Sequence, residues 1–289
     1  MAETLIENVS DTAFWVAHYR AVETARPDAL FRDPFAERLA GERGKQIAAQ
    51  MPMAPMTGWV LAIRTTIIDE FLQRAIAEGV ETVINLGAGL DARPYRMDLP
   101  TSLRWIEADY PQMIAYKEER LASEKPKCRL ERVKVDLADE AARGELLDHI
   151  NMSSPKMLAL TEGVIPYLSD EQVGSLADDL RGLDHLCYWI AEYHSPEVIK
   201  YRDRGGMQQK LQNAPFKFRP ADWFGFFAQH GWRPKDVRYL PDQAQSLHRP
   251  IPLPRVAKII MSVRGAFASK QRREAFRKFS AYVLLEPGE

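Results

Sequence analysis

The sequence predicts an α/β protein on a doubly wound, seven-stranded sheet, mostly parallel with an antiparallel last strand. Three observations predict it. Val83-Ile84-Asn85-Leu86 runs into Gly87-Ala88-Gly89, a buried strand entering a glycine turn. Strand-like and helix-like stretches alternate from there on. After the fifth strand the spacing changes, and two further strands follow, which suits a sheet ending in an antiparallel hairpin.

Apolar residues at helical spacing (Ala13, Val16, Ala17, Ala21) give a first helix over Thr12–Thr24, and Arg26-Pro27-Asp28 turns the chain. Asp33-Pro34 opens a second helix, Asp as its N-cap and Pro at its first helical position. Met51-Pro52-Met53-Ala54-Pro55-Met56 reads as a non-helical loop, because two prolines interrupt it. A long amphipathic helix follows over Gly58–Glu78, stopped by Gly79. The five strands are Thr82–Leu86, Leu103–Ala108, Arg129–Val135, Met157–Leu160 and Cys187–Tyr193. Helices over Pro111–Ser123, Asp139–His149 and Asp170–Leu183 fill the gaps, the last with a capping box of Ser169 and Gln172. Residues 195–230 read as an aromatic helical insertion. Strands at Asp236–Leu240 and Ala281–Leu285 close the pattern, separated by the proline-rich turn Pro250–Pro254 and a basic helical stretch. This is the layout of the Rossmann-like class I methyltransferases. The chain reads as one domain: a helical cap over 1–79, a cofactor-binding core over 80–194, the substrate-cap insertion, and C-terminal strands with a helix over 231–289.

Composition narrows the function. Hydrophobic residues at 46% and charged residues at 27% are ordinary for a soluble globular chain, and a net charge of −1 implies no polyanion partner. The basic stretch from Arg264 to Lys278 reads as a solvated helix face, not a nucleic-acid site. The two cysteines, Cys128 and Cys187, lie in apolar strand-like runs, with no metal-ligand or disulfide spacing. No signal-peptide core and no membrane-length apolar run is visible, so the expectation is a reducing, cytoplasmic protein; the sequence leaves the oligomeric state open between monomer and weak dimer.

Gly87-Ala88-Gly89-Leu90-Asp91-Ala92 satisfies G-x-G-x-x-A, and such a turn is expected to bring bare backbone N–H groups to a helix start. Glu107 and Asp109 end the next strand, where an acid holds ribose hydroxyls in both NAD and S-adenosylmethionine folds. The turn alone leaves both cofactors open. Asp136, ending the third strand before Leu137, favours S-adenosylmethionine, since that strand end faces the adenine; it also suits a helix cap. The long segment before the first strand points the same way, since many NAD domains begin close to theirs.

Several blocks together resemble the leucine carboxyl methyltransferase-like family, in particular its bacterial tetracenomycin-type polyketide O-methyltransferases. They are Thr12–Ala17 with Arg20–Glu23, Arg26–Phe31 with Asp33–Ala36, Arg64-Thr65, Leu86–Arg93, Glu107–Pro111, Asp136-Leu137, Thr161–Val164 with Tyr167-Leu168, and Phe279–Glu286. The resemblance spans nearly the whole chain, and the N-terminal block is its most specific part. It implies a fold of class I type, S-adenosylmethionine as methyl donor and S-adenosylhomocysteine as product. It also implies that Arg64 pairs with the methionine carboxylate and Arg20 lies near that end, while Gly87, Ala88 and Gly89 let the backbone approach. Asp109 would take the ribose, Asp136 with Leu137 the adenine, and Glu162 the cationic end. Arg93 and Arg96 read as structural ion-pair formers.

Methyl transfer from a sulfonium needs alignment and exclusion of water more than acid–base help. A carboxylate acceptor needs no base, whereas a phenol, with a pKa of about 10, benefits from one. His194, at the end of the fifth strand, is the candidate base, with His18 behind it. Phe14, Trp15, Met53, Tyr167 and Phe216 are the candidate acceptor contacts, an apolar lid suited to a small aromatic molecule. The leading expectation is therefore an O-methyltransferase acting on a hydroxyl or carboxyl of a small molecule. Alternatives are a protein C-terminal carboxyl methyltransferase, an NAD(P)-dependent oxidoreductase and a silent binding protein.

Overall fold

The computed structural model describes residues 6–152, 156–203, 209–254 and 269–288 and folds the alternating pattern into one seven-stranded sheet. Its strands are β1 (Thr82–Leu86), β2 (Arg104–Asp109), β3 (Arg129–Lys134), β4 (Met157–Leu160), β5 (Leu186–His194), β6 (Trp232–Tyr239) and β7 (Ser280–Pro287). They are ordered β3-β2-β1-β4-β5-β7-β6. The first five pair in parallel, and β7 runs antiparallel to both β5 and β6. Strand order reverses between β1 and β4, and in such sheets the crevice beyond the carboxyl ends receives ligands.

Both faces of the sheet are covered, so β1 and β4 are buried along their whole length and show no alternation. One face packs on α3 (Ala54–Ala77) through Ile63, Ile67, Phe71 and their neighbours. The other packs on α6 (Glu140–Asn151), α7 (Asp170–Arg181) and α9 (Trp223–Gln229). The connections between strands add α4 (Arg93–Arg96) and α5 (Pro111–Arg120). Asp139 caps α6 through the N–H groups of Ala141 and Ala142, and Ser169 and Gln172 form the capping box of α7.

Three boundaries depart from expectation. α1 (Asp11–Thr24) is as expected, but α2 begins only at Ala36 (Ala36–Gln50). Asp33 still caps the turn leading into it, its Oδ1 accepting from the Phe35 N–H at 3.2 Å while its Oδ2 sits 3.0 Å from the Arg20 guanidinium. α3 starts at Ala54 inside the expected Met51–Met56 loop, because Pro55 occupies the first turn, where a missing N–H breaks no intrahelical bond. β6 starts at Trp232, not Asp236, because β6 is an edge strand that tolerates Pro234 while pairing with β7 as far as Pro287.

The insertion contains α8 (Pro196–Arg202) and α9, and most of its aromatics are core. Phe227 packs edge-on against Trp189, and Trp189 against Trp232, beneath the sheet. α10 (Leu240–Ser246) follows β6, and α11 (Lys270–Arg277) carries no buried residue, as a solvated face requires. Residues 264–268 of the basic stretch lie outside the described residues. Cys128 is buried, its thiol pushed up to about 12 by burial and by Glu107, whereas Cys187 is only half-buried; both are free. Among the described residues no helix is long and apolar enough to cross a membrane.

Candidate functional site

A cavity of about 490 Å³ opens at the carboxyl ends of β1, β2, β4 and β5, beneath residues of α1 and α3. That volume falls in the range of roughly 300–1,000 Å³ typical of small-molecule sites. Its floor is the glycine turn after β1. Gly87 has φ +69°, and a Cβ there would lie 2.4 Å from Cγ2 of Val164. Gly87→Ala is therefore expected to cost about 1–3 kcal/mol, from the left-handed backbone and the collision together. Urea unfolding checks this, and unchanged stability would refute it.

The turn differs from expectation in one respect that matters for the cofactor. The N–H groups of Gly87 and Ala88 donate to the carbonyl of Ala108 at 2.8 and 3.3 Å. The Gly89 N–H donates to Oδ2 of Asp109 at 2.6 Å. All three are committed, and α4 beyond them has only four residues. The cradle of bare N–H groups at a helix start, which a dinucleotide pyrophosphate uses, is not formed here. What the turn does offer is a wall bare of side chains at Gly87 and Gly89.

One end of the cavity is densely charged. Arg64, on α3, donates through Nε to Oε1 of Glu162 at 2.7 Å. Burial opposes the Arg64 charge, yet Glu162 outweighs it and holds the guanidinium above its ordinary pKa. Burial would raise Glu162 too, but Arg64 and Arg93 prevail and hold it down to about 2. Arg93 is 1% exposed and bridges Asp69, Asp91 and Glu162 at 2.6, 2.8 and 2.6 Å. Arg96 joins Asp69 at 2.7 Å. Neither Arg93 nor Arg96 lines the cavity, so both are the ion-pair formers that their position suggested. Arg20 lines it, fixed by Asp33 and by the carbonyl of Leu90. Asp91 and Asn85 line it as well, joined at 2.9 Å.

Asp109 reaches the cavity from the end of β2, and Leu137 from beyond β3. Burial raises the Asp109 pKa against the opposing hydrogen bonds from Gly89 and Tyr110. Glu107, two residues earlier, is taken up by Lys117 and Arg132 at 2.7 and 2.9 Å and is structural. Asp136 is exposed and outside the lining, its Oδ1 accepting from the Ala138 N–H at 2.9 Å; Val135, Leu137 and Ala138 line the cavity around it.

The opposite wall comes from β5 and β7. Glu192 is 2% exposed, its Oε1 accepts from the Val164 N–H at 3.1 Å, and its Oε2 has no partner among the described residues. Burial pushes its carboxyl up to about 8 against the pull of Arg64. Burial, with Arg202 and Arg64, pulls His194 down to about 3. Nδ1 of His194 lies 3.1 Å from Oγ of Ser280, whose hydroxyl donates to the Tyr193 carbonyl. Nδ1 must then carry the proton, leaving the Nε2 lone pair for the cavity. Glu192, Tyr282, Asn85 and Asp91 were missed from sequence. The signal for Glu192 was a carboxylate inside an apolar strand, two residues before His194.

Trp15, Met53, Tyr167 and Phe216 all line the cavity. Phe14 does not: it turns away to pack edge-on against Tyr116, with the Arg43 guanidinium over its ring. An acceptor contact by Phe14 is corrected accordingly, because on α1 it faces one residue round from Ala13 and Trp15. His18 also lies outside the lining. Phe216 meets Tyr167 edge-on, stacks on His194, and carries the Arg202 guanidinium 3.6 Å above its centre. A second cavity of about 290 Å³ shares Pro166, Glu192, His194 and Phe216 with the first.

Comparison with known proteins gives a consistent picture. The family model described as leucine carboxyl methyltransferase matches residues 13–181. A Frankia alni protein named as a candidate S-adenosyl-L-methionine-dependent methyltransferase is 36% identical over 255 residues, covering 84% of this chain and 88% of its own. A Parafrankia protein named in the same way is 31% identical over 283 residues, covering 91% and 87%. Among solved structures, a candidate methyltransferase from Thermobifida fusca is similar with a TM-score of 0.55 at 13% identity, covering 94% of each chain. A DUF574 family protein from Streptomyces avermitilis is similar with a TM-score of 0.51 at 16% identity, covering 94% and 97%. These structures share the fold.

Proposed function

The chain belongs to the leucine carboxyl methyltransferase family, and from that premise we propose that it is an S-adenosylmethionine-dependent O-methyltransferase acting on a small aromatic or apolar molecule. One observation carries the reading: a cavity lined by both charged and apolar residues, built over a turn whose Gly87, Ala88 and Gly89 N–H groups are already bonded. The donor supplies an electrophilic methyl group on a sulfonium. This chain's residues bind it, orient it and keep water out.

The lining fits that ligand. Arg64 is placed to pair with a carboxylate, and Glu162 lies beside a cationic centre. Asp109 presents a carboxylate to ribose hydroxyls, and Leu137 an apolar edge to adenine. Gly87 and Gly89, with positive φ of 69° and 47°, keep side chains out of its path. Trp15, Met53, Met56, Tyr167 and Phe216 face the remaining, apolar part of the cavity, which suits an aromatic acceptor.

Calorimetric titration with S-adenosylhomocysteine and with NADH tests the donor. Binding of the first alone is expected; tight NADH binding without it would overturn the reading. Turnover with phenols, small carboxylic acids and leucine-terminated peptides tests the acceptor, and methylation of peptides only would reject the small-molecule assignment. Phe216→Ala is expected to raise the KM of the acceptor by roughly 10–100-fold, the loss of one buried aromatic contact, with little change for the donor. Equal losses for both would remove Phe216 from the acceptor side.

A further inference from the structure

We propose that Glu192 releases its proton when the cationic donor binds and regains one from the acceptor hydroxyl as the methyl group leaves. The proposal rests on the methyltransferase reading above. The geometry is specific. Glu192 is 2% exposed, its Oε1 is held by the Val164 N–H at 3.1 Å, and Oε2 has no partner among the described residues while the side chain lines the cavity. A buried carboxyl oxygen without a partner is costly, and such atoms mark places where a ligand completes the hydrogen bonding.

The groups around Glu192 decide what it can do. Arg64 on α3, paired with Glu162 beyond β4, pulls the Glu192 carboxyl down, but burial outweighs it. Tyr282 on β7 holds its proton, its pKa raised by burial against the pull of Arg64. His194, two residues along β5, is a poor proton store, since burial, Arg202 and Arg64 pull it down to about 3. Glu192 itself is pushed up to about 8 by burial, so it carries a proton at neutral pH while the cavity lacks a further cation. A sulfonium entering the same cavity favours the carboxylate and drives that proton to solvent.

The step then balances. The acceptor O–H and the donor S–C bonds break; the acceptor O–C bond and the Glu192 O–H bond form. Sulfonium and carboxylate lose their charges together, which a poorly solvated cavity favours. His194, its Nδ1–H on Ser280, offers Nε2 as an acceptor that positions the hydroxyl without keeping its proton.

The test is proton release on binding, measured calorimetrically at pH 7 in two buffers of different ionisation enthalpy. S-adenosylmethionine should release more protons than S-adenosylhomocysteine, which lacks the sulfonium, by up to about one per site. Glu192→Gln should still bind S-adenosylhomocysteine and lose that difference. Equal release for the two ligands in the unmodified protein overturns the proposal, as does a difference that persists in the variant. Should the variant not fold, the unmodified protein alone decides: the difference must vanish by about pH 10, where the carboxyl is already ionised. A difference persisting there overturns it. If neither ligand binds, the methyltransferase reading fails instead.

Discussion

Arg93→Ala is expected to lower the unfolding free energy by about 3–5 kcal/mol, the largest stability effect of any single change near the site. Arg93 is 1% exposed and joins Asp69, Asp91 and Glu162. Its removal leaves carboxylates from three separate chain segments facing one another without a common counter-charge. The pH dependence has a definite sign. Burial would raise Glu162, but Arg64 and Arg93 hold it down to about 2, below its unfolded value of about 4.3. That contribution is present above about pH 4.3 and lost as pH falls through about 2. Without Arg93 the carboxylates protonate at higher pH, so the gap between the two proteins should narrow from pH 7 to about pH 3. Urea titrations at both pH values measure it. A gap that stays constant would show that lost packing, not lost charge pairing, sets the cost.

Arg64→Ala is expected to separate binding from stability. Affinity for S-adenosylmethionine should fall by roughly 30-fold to several thousand-fold, the usual cost of truncating one side of a buried charged hydrogen bond, about 2–5 kcal/mol. The fold should suffer far less than in the Arg93 variant, because Glu162 keeps its contact with Arg93 at 2.6 Å. Arg64→Lys retains the charge but not the planar fork, and is expected to recover only part of the affinity. Calorimetry and thermal melting, run on the same samples, read the two effects. Undiminished donor binding in Arg64→Ala would remove this residue from the donor site.

The central sheet was legible because its strands are short apolar runs bounded by turn residues. β1 and β4 lie at Thr82–Leu86 and Met157–Leu160, the bounds their residues announce. Capping chemistry was equally readable at Ser169 and Gln172. Boundaries moved where a proline was read as a breaker too strictly: Pro55 sits in the first turn of α3, where it costs no hydrogen bond, and Pro234 sits on an edge strand. At the site, the charged and glycine positions stood out in sequence, since burying them demands a reason. Glu192 did not, because a strand reading classifies its neighbours by hydropathy and passes over the one polar member. Nor does sequence show whether an N–H is already bonded; only the fold brings Ala108 and Asp109 against the turn.

The placement of β7 also governs how the protein can be made. β6 joins the sheet only through β7, and β7 contributes Ser280 and Tyr282 to the cavity wall. During synthesis, the flank of β5 and the whole of β6 must therefore wait for residues 280–287 to leave the ribosome. Until then the nascent chain exposes an unpaired strand edge beside buried tryptophans, a surface prone to association with other chains. The methyl donor cannot shelter that intermediate, because the pocket that would grip it is still missing a wall.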